Sequence, residues 1–344
     1  MIRFLLLLSL LVSAAIAAPP RYKLPTENQH LFSGQPEKFY MYVDRTFEGV
    51  SSKPWQGGAY GLVRNPIRAN GDIQYLRHHE GIDIAPVKRD KAGNPLDLIL
   101  SIADGTVVHV SDSPGRSNYG RYIVVAHPVD AAGSVVHSLY AHLAECTVKP
   151  GDKVKLRSVL GRMGYTGRGI TRTRAHVHLE LALLMSPRFD GWMQAFGGGT
   201  NHHGNYNGMN LQGMDVARFL TEHRADPTLT VTKFVRESPA YFKITIPRNG
   251  PLEFAKLHPW LAYGDLSKPS PSWEISLTAT GLPTGIAISK RKVSAPIVSA
   301  VRESSVPHRY LTRGLLSGEG RSATLSRNGS KLVALIAGDF PNPR

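Results

Sequence analysis

The stretch Ala175-His176-Val177-His178-Leu179-Glu180 decides how the middle of this chain folds. Side chains alternate along a strand, so the two histidines and the glutamate share one face while the valine and the leucine share the other. Apolar residues continue to Leu184, which predicts a strand with its apolar face on a core and its polar face open. Two imidazoles about 6.6 Å apart along a strand can reach one metal ion or its bound water. The spacing alone does not separate a metal site from a histidine-rich surface strand.

Two further groups of polar side chains offer partners for this histidine pair. His79 and Asp83 lie in a segment whose glycine and isoleucines disfavour a helix, so both share a face with Gly81, which leaves room between them. Tyr140 and His142 share a face at the end of another apolar run. A zinc site that performs chemistry uses three protein ligands and leaves a position for water, whose pKa falls to about 7. One aspartate and four histidines therefore compete for three ligand positions, and their spacing leaves the choice open.

Five motifs in a fixed order resemble the lysostaphin-like, or LytM-type, zinc endopeptidases, which cut peptide cross-links in bacterial peptidoglycan. The motifs are His79-Glu80-Gly81-Ile82-Asp83, Leu139-Tyr140-Ala141-His142-Leu143, Lys149-Pro150-Gly151-Asp152-Lys153-Val154, Gly161-Arg162-Met163-Gly164-Tyr165-Thr166-Gly167-Arg168 and the stretch from Ala175 to Leu181. The similarity runs from about Pro66 to Met185. It implies a small antiparallel β-sheet with a groove above it, so we predict a mainly β protein with a LytM-type peptidase core.

The resemblance also implies a role for each candidate group. His79, Asp83 and His178 correspond to the ligands of one zinc ion per chain. His142 and His176 correspond to the two histidines that act on the bound water and on the tetrahedral intermediate, and the resemblance does not say which does which. A base and an oxyanion donor both need hydrogen-bond reach of the reacting atoms, and imidazole serves both purposes near neutral pH.

Three other residues near these motifs are considered for further roles in the site. Glu180 is either a carboxylate that orients a ligand histidine or a member of a structural salt bridge, Tyr140 is a candidate for the groove wall, and His78 fails the ligand spacing. The chain departs from the family pattern at an insert, Lys88 to Asn94, and at Arg172-Thr173-Arg174-Ala175, where Thr-Gly-Pro is usual. Both departures affect loops that shape a groove and so bear on substrate preference.

Composition and the N-terminus indicate an exported protein. The 344 residues carry a formal charge of +15 and are 42% hydrophobic, which suits globular domains and a polyanionic partner. A basic start, an apolar run from Phe4 to Ile16 and Ala15-Ile16-Ala17 predict a signal peptide over residues 1–17. The run is too short to span a bilayer, so we expect a periplasmic or secreted protein without a transmembrane anchor after cleavage, an anionic envelope as partner, and no nucleic acid. Cys146 is the single cysteine, so no internal disulfide forms.

The remaining segments divide into an N-terminal arm (18–54), a peptidase domain (55–224) and a basic accessory domain (230–344). Residues Leu211 to His223 have helical periodicity. The accessory domain carries 16 basic and 7 acidic residues, a net charge of +9, which predicts retention at the envelope. Its predicted strands indicate a β-rich, possibly sandwich-like fold: Thr230 to Val235, Tyr241 to Ile246, Ile275 to Thr280, Ile286 to Ser289, Ile297 to Val301 and Lys331 to Ile336.

These observations favour an exported zinc metallo-endopeptidase whose substrate is the stem peptide of peptidoglycan. Two alternatives stay open: a non-catalytic LytM-type protein that binds or activates cell-wall hydrolysis, and an exported peptidase that acts on a protein substrate. Non-catalytic members have typically lost ligands, whereas all five expected residues are present here. The enzyme is therefore the preferred hypothesis.

Overall fold

The computed structural model describes residues 20–69, 71–197 and 199–341. The predicted signal peptide, residues 1–17, lies outside the described residues. Within these ranges the strands pair in antiparallel sheets, which confirms the predicted mainly β class. No helix in the described ranges has the length and apolar character needed to cross a membrane.

The N-terminal arm packs along the edge of the peptidase core. Tyr22, Leu24 and Phe39 are buried in that core, and backbone hydrogen bonds join Met41 N to Asp83 O (2.8 Å) and Ala85 N to Phe39 O (2.9 Å). The arm contains a 3-10 turn, His30–Ser33, followed by α1 (Pro36–Phe39), β1 (Arg45–Phe47) and β2 (Val50–Ser52), and a second 3-10 turn, Trp55–Gly58, comes directly after the arm. It is therefore part of the folded core.

The peptidase region is built from twelve strands among the described residues and two short helices. The strands are β3 (Gly61–Ala69), β4 (Asp72–His79), β5 (Ile82–Ile84), β6 (Leu98–Leu100), β7 (Gly105–Ser111), β8 (Tyr122–Pro128), β9 (Val135–Ala141), β10 (Leu143–Cys146), β11 (Lys153–Val154), β12 (Val159–Met163), β13 (Val177–Leu184) and β14 (Leu211–Gly213). The main sheet has the order β11-β7-β8-β9-β13-β14. β5 pairs with the first residues of β13, and β14 pairs with its last residues. β3 pairs with β4, and β10, β12 and β6 form a small third sheet. Helices α2 (Phe189–Trp192) and α3 (Val216–Ala225) follow β13.

Strand β13 is buried on both faces, whereas the sequence predicted one open face. Val177 and Leu179 point into the main core as expected. On the opposite face, Ala182 and Leu184 pack with Leu211 in a second, smaller core. The segment after β13 returns across the sheet and covers this end, which the alternation of side chains alone does not reveal.

The predicted helix over Leu211 to His223 begins later than its periodicity suggested. Its first residues form β14, and α3 starts at Val216. Asp215 caps the helix, because its Oδ1 accepts a hydrogen bond from the backbone N–H of Arg218 at 3.0 Å. Buried Met214, the residue just before the cap, explains why apolar residues extend beyond the helix.

The C-terminal region is one four-stranded sheet flanked by helices, so the sandwich-like arrangement predicted for it is wrong. The sheet has the order β17-β16-β15-β18. Its elements are α4 (Val231–Glu237), β15 (Phe242–Pro247), α5 (Glu253–Leu257), β16 (Ser272–Leu277), β17 (Pro283–Ser289), β18 (Ile297–Val301), α6 (His308–Leu311), β19 (Leu316–Ser317), β20 (Thr324–Leu325) and α7 (Arg327–Ala337). Four of the six predicted strands are present, and the first and last are the helices α4 and α7.

The C-terminal region packs directly against the peptidase region. Trp192 donates its indole N–H to Lys331 O (2.9 Å), and buried His258 shares a hydrogen bond with Leu184 O (2.8 Å). Arg313 donates to the side-chain oxygen of buried Gln212 (2.8 Å). The apolar core is continuous across both regions, so the boundary predicted near residue 230 is not a gap in the packing.

Candidate active site

Three strands bring His79, Asp83 and His178 together. His79 is the last residue of β4, and His178 lies directly opposite Asp83 in the β13–β5 ladder. His79 Nε2 is 3.1 Å from Asp83 Oδ1, His178 Nδ1 is 3.0 Å from the same oxygen, and the two nitrogens are 3.0 Å apart. Tetrahedral ligands of zinc lie about 3.3 Å from one another. These three buried atoms therefore fit one zinc ion.

The second nitrogen of each ligand histidine is held by a fixed acceptor. His79 Nδ1–H donates to Ala59 O (2.9 Å), which leaves Nε2 with its lone pair. His178 Nε2–H donates to Glu180 Oε1 (3.0 Å), so Nδ1 is the nitrogen that can offer a lone pair to a metal ion once its proton has left. Such outer contacts fix ring orientation and tautomer at metal sites. Of the two parts considered for Glu180, the structure shows the contact that orients a ligand histidine.

The charges of the three groups also fit a cation. Burial lowers the pKa of His79, which keeps that ring neutral. Burial opposes ionisation of Asp83, but the His79 and His176 rings outweigh it and hold the pKa of the carboxyl well below its usual range. Burial acts against protonation of His178, yet hydrogen bonds to Asp83 and Glu180 prevail and raise its pKa to about 10. The metal-free centre thus holds a proton on His178 at the place where a cation fits.

Arg64 on β3 braces the carboxylate of Asp83. Its Nη2 donates to Asp83 Oδ2 at 2.5 Å, and its Nε donates to Gly57 O at 2.8 Å. Oδ2 is thereby occupied, and Oδ1 faces the two histidine nitrogens. The sequence did not single out Arg64, because β3, the strand that carries it, lies outside the five motifs.

His142 and His176 lie beside this triad with one nitrogen each bound to the backbone. His142 Nδ1–H donates to Thr166 O (2.9 Å) and His176 Nδ1–H to Arg174 O (2.6 Å). The two ring centroids are 4.7 Å apart, and His176 Nε2 is 3.4 Å from Asp83 Oδ1. Each histidine therefore keeps its Nε2 for contacts in the groove.

His142 has an unusual backbone and a shifted pKa. Its φ of 64° lies in the left-handed region, which is strained for a side chain with a Cβ. Hydrogen bonds hold this conformation, since His142 N donates to Tyr119 O at 2.9 Å. Burial, reinforced by the His176 and His178 rings, lowers the pKa of His142 well below its usual value. The ring is therefore neutral at neutral pH and able to accept a proton.

Two residues near the triad differ from the sequence interpretation. Tyr140 is not a groove wall: it is fully buried, and its hydroxyl accepts a hydrogen bond from Ile102 N at 2.9 Å. Side chains alternate in direction along β9, and the even position 140 points into the core, away from the odd positions. Tyr119 lines the groove instead and donates its hydroxyl to Glu180 Oε1 at 2.8 Å. Tyr119 lies in a loop, where no periodicity marks the direction of a side chain.

A groove of about 610 Å³ runs over the triad. Its lining includes the five predicted site residues and four arginines, Arg64, Arg77, Arg168 and Arg174. His78 lines it as well but belongs to no candidate metal group in the described ranges. No described residue before Arg64 contributes to this lining, so the arm supports the site from behind.

The sequence matches a known peptidase family over this region. The match to Peptidase family M23 covers residues 77–187, which contain all five predicted site residues. Residues 77–187 are thus similar to the peptidases of family M23. The predicted resemblance to the LytM-type peptidases is thereby confirmed for this part of the chain.

Individual relatives and solved structures are similar to parts of this chain. An uncharacterized metalloprotease of Buchnera aphidicola is 36% identical over 120 residues, 35% of this chain and 27% of the relative. The peptidoglycan DD-endopeptidase ShyB of Vibrio cholerae is 28% identical over 170 residues, 48% of this chain and 35% of ShyB. The catalytic domain of lysostaphin from Staphylococcus simulans is 22% identical with a TM-score of 0.29, covering 47% of this chain and 88% of that domain. The chain spans about a third or less of the length of these two curated relatives.

Proposed function

We propose that the protein is an exported zinc metallo-endopeptidase that hydrolyses peptide cross-links of peptidoglycan. The observation that carries the proposal is the triangle of His79 Nε2, Asp83 Oδ1 and His178 Nδ1, with sides of 3.0 to 3.1 Å. The two further histidines of the region similar to family M23 lie beside it. The similarity to a peptidoglycan endopeptidase supports the choice of substrate.

The residues of the groove divide the work between holding a metal and moving protons. His79, Asp83 and His178 would hold a zinc ion, which as a Lewis acid would acidify a water and polarise a carbonyl. His142, whose ring is neutral, or His176 would accept a proton from that water at Nε2, because Nδ1 of each ring is committed to a backbone carbonyl. The other ring would donate a hydrogen bond at Nε2 to the developing oxyanion as an imidazolium, since its Nδ1–H already donates to the backbone and Nε2 needs a second proton.

Retention at the anionic envelope is proposed for the C-terminal region on its net charge of +9. Lys290, Arg291 and Lys292 form an exposed basic run after β17. Replacing all three by Gln should reduce sedimentation of the protein with purified cell walls at low salt. Unchanged sedimentation would contradict this part of the proposal.

The ligand assignment is tested by comparing two histidine variants. His178→Ala removes a ligand, so the purified protein should lose its zinc and its peptidase activity together. His142→Ala should keep about one zinc per chain and lose at least a hundredfold in turnover, because a proton acceptor is missing. Elemental analysis and hydrolysis of cross-linked stem peptides measure the two effects. Loss of zinc from His142→Ala would show that the ligand set is wrong.

A further inference from the structure

A second hollow of about 380 Å³ adjoins the metal groove, and the two share a wall rich in arginine. Arg64, Arg77, Arg168 and Arg174 line both spaces together with Ile170. The far side of the hollow is formed by the arm and by the start of β3, with Val43, Asp44, Arg45, Thr46 and Asn65. A peptide lying in the metal groove therefore passes directly along this wall.

The arginines of the wall differ in their partners. Arg64 is committed to Asp83, as described above. Arg174 donates its Nε to Tyr42 O at 3.2 Å and lies 3.9 Å from Asp44 Oδ2. Arg77 and Arg168 are exposed, and neither forms a side-chain hydrogen bond or an ion pair with any residue of the described ranges. The guanidinium groups of Arg77 and Arg168 thus line the groove with N–H donors that are available to a ligand.

Charge balance in this part of the molecule favours an anionic ligand. Five arginines line the second hollow, and Asp44 is the one acidic side chain in its lining among the described residues. Like charges gathered on the walls of a cleft focus a positive potential into it. The planar guanidinium matches a carboxylate through two parallel hydrogen bonds, which makes the carboxylate a fitting ligand.

The position of Arg174 ties this wall to the reacting atoms. The backbone oxygen of Arg174 accepts the hydrogen bond of His176 Nδ1. One residue therefore orients a catalytic histidine with its backbone and contributes its side chain to the wall. Arg174 also belongs to the segment Arg172 to Ala175, where the sequence departs from the usual Thr-Gly-Pro of the family. The departure replaces small or neutral residues by two arginines in the short turn before β13.

We propose that Arg77, Arg168 and Arg174 form a carboxylate-binding subsite that selects substrate peptides with a free carboxylate beside the scissile bond. The inference rests on the proposed endopeptidase function, since it assigns the wall to the substrate of that site. The subsite is a determinant of specificity, and the proton transfers remain with His142 and His176.

The test compares two forms of one substrate. Cross-linked stem-peptide dimers are isolated from peptidoglycan, and half of the sample is converted to carboxamides with carbodiimide and ammonia. The zinc-loaded wild-type protein should cleave the free dimers with a kcat/KM roughly ten- to a hundredfold above that for the amidated dimers, because a charge-assisted contact is lost. In Arg77→Gln/Arg168→Gln this preference should fall to about threefold or less, with the loss in the free dimers and mainly in KM.

A matched variant and the pattern of outcomes keep the test decisive. Arg224→Gln removes an exposed arginine that lies outside both hollows, and it should keep the full preference of the wild type. Equal cleavage of both dimers by the wild type, or an unchanged preference in the double variant, would overturn the subsite. If the variant lost binding to intact walls but kept its preference between dimers, the arginines would serve a wall polymer, which also overturns the proposal. Cleavage of neither dimer by the wild type would instead contradict the proposed endopeptidase function.

Discussion

At the scale of single residues, the candidate metal centre depends on hydrogen bonds between residues that are far apart in the sequence as well as on the motifs themselves. The spacing of histidines and aspartate left five groups for three positions. What distinguishes them in the structure is the partner of each second nitrogen: Ala59 O for His79, Glu180 for His178, and loop carbonyls for His142 and His176. Ala59 precedes the motifs, and Thr166 lies in a different motif from His142, so neither contact is visible in a local pattern. The family resemblance supplied the division of roles that geometry now makes physically reasonable.

The raised pKa of His178 makes zinc binding a proton-releasing reaction. In the metal-free protein this ring has a pKa of about 10 and is protonated at pH 7, whereas the pKa values of Asp83 and His79 are lowered, so Asp83 is ionised and the His79 ring is neutral there. Zinc must therefore displace about one proton, and its apparent affinity should rise about tenfold per pH unit from pH 6 to 8.

Calorimetric titration of the metal-free protein in buffers of different ionisation enthalpy counts the protons released. The expected value at pH 7 is about one per zinc. A count near zero, together with an affinity that does not change with pH, would contradict the charge state assigned to His178.

At the scale of elements, the strand that opened the sequence analysis is held by the close approach of β5. A Cβ on Gly81 would lie 2.2 Å from Leu179 O and 2.9 Å from Glu180 Cγ. The sequence interpretation placed Gly81 as a spacer between His79 and Asp83. In the structure its missing side chain makes room for the backbone of β13 as well, which lets all three ligands converge.

Replacing Gly81 by Ala should separate β5 from β13. We expect a loss of roughly 2 to 3 kcal/mol in the free energy of unfolding, as for other overpacked sites, together with weaker zinc binding. Gly115→Ala is the control, because its Cβ would meet no atom within 4 Å; it should change stability by less than about 1 kcal/mol. Denaturant unfolding of the wild type, Gly81→Ala and Gly115→Ala measures the two changes in the free energy of unfolding. Equal stability of the two variants would refute the packing argument.

The elements that the sequence predicted well are those with short-range signals. Alternating apolar residues gave the strands of the main sheet and β15 to β18. The β-branched residues Val231, Thr232 and Val235 predict a strand where the structure has helix α4. Its buried residues, Val231, Phe234 and Val235, follow helical spacing. The hydroxyl of Thr230 caps the helix at Lys233 N (3.2 Å).

Helix α7 carries similar signals that the strand interpretation overlooked. Ser326 Oγ accepts from Gly329 N at 3.1 Å at its start, and Gly338 ends it with a φ of 69°. Gly329, Leu332, Val333 and Ile336 are buried on one face. A cap and a stop with eleven residues between them favour a helix over a run of apolar residues in a strand.

At the scale of the whole molecule, the C-terminal region is joined to the site by buried polar contacts. Tyr60 donates to Gly213 O (3.1 Å) and lies 2.9 Å from Thr280 Oγ1. Arg313 reaches Gln212 on β14 beside β13, and burial lowers its pKa. Deleting residues 230–344 would expose this core, so the region does not behave as a detachable module in the structure.

Unfolding should therefore be cooperative over both regions. Calorimetry of the full chain should show one unfolding transition. Zinc should raise the midpoint temperature of that transition without splitting it, because a ligand that binds the native state stabilises the whole cooperative unit. Limited proteolysis should yield no stable fragment that ends near residue 230. Two transitions, of which zinc shifts only one, would show that the regions unfold independently.

The most direct measurement is mass spectrometry of the fragments released from purified peptidoglycan. The zinc-loaded protein should release peptides with new amino termini, and a chelator should abolish their release until zinc is added back. His142→Ala and His176→Ala should release at most about a hundredth of the wild-type amount while retaining zinc. New amino termini that appear equally with and without metal, or none from any peptidoglycan by the zinc-loaded wild type, would contradict the account.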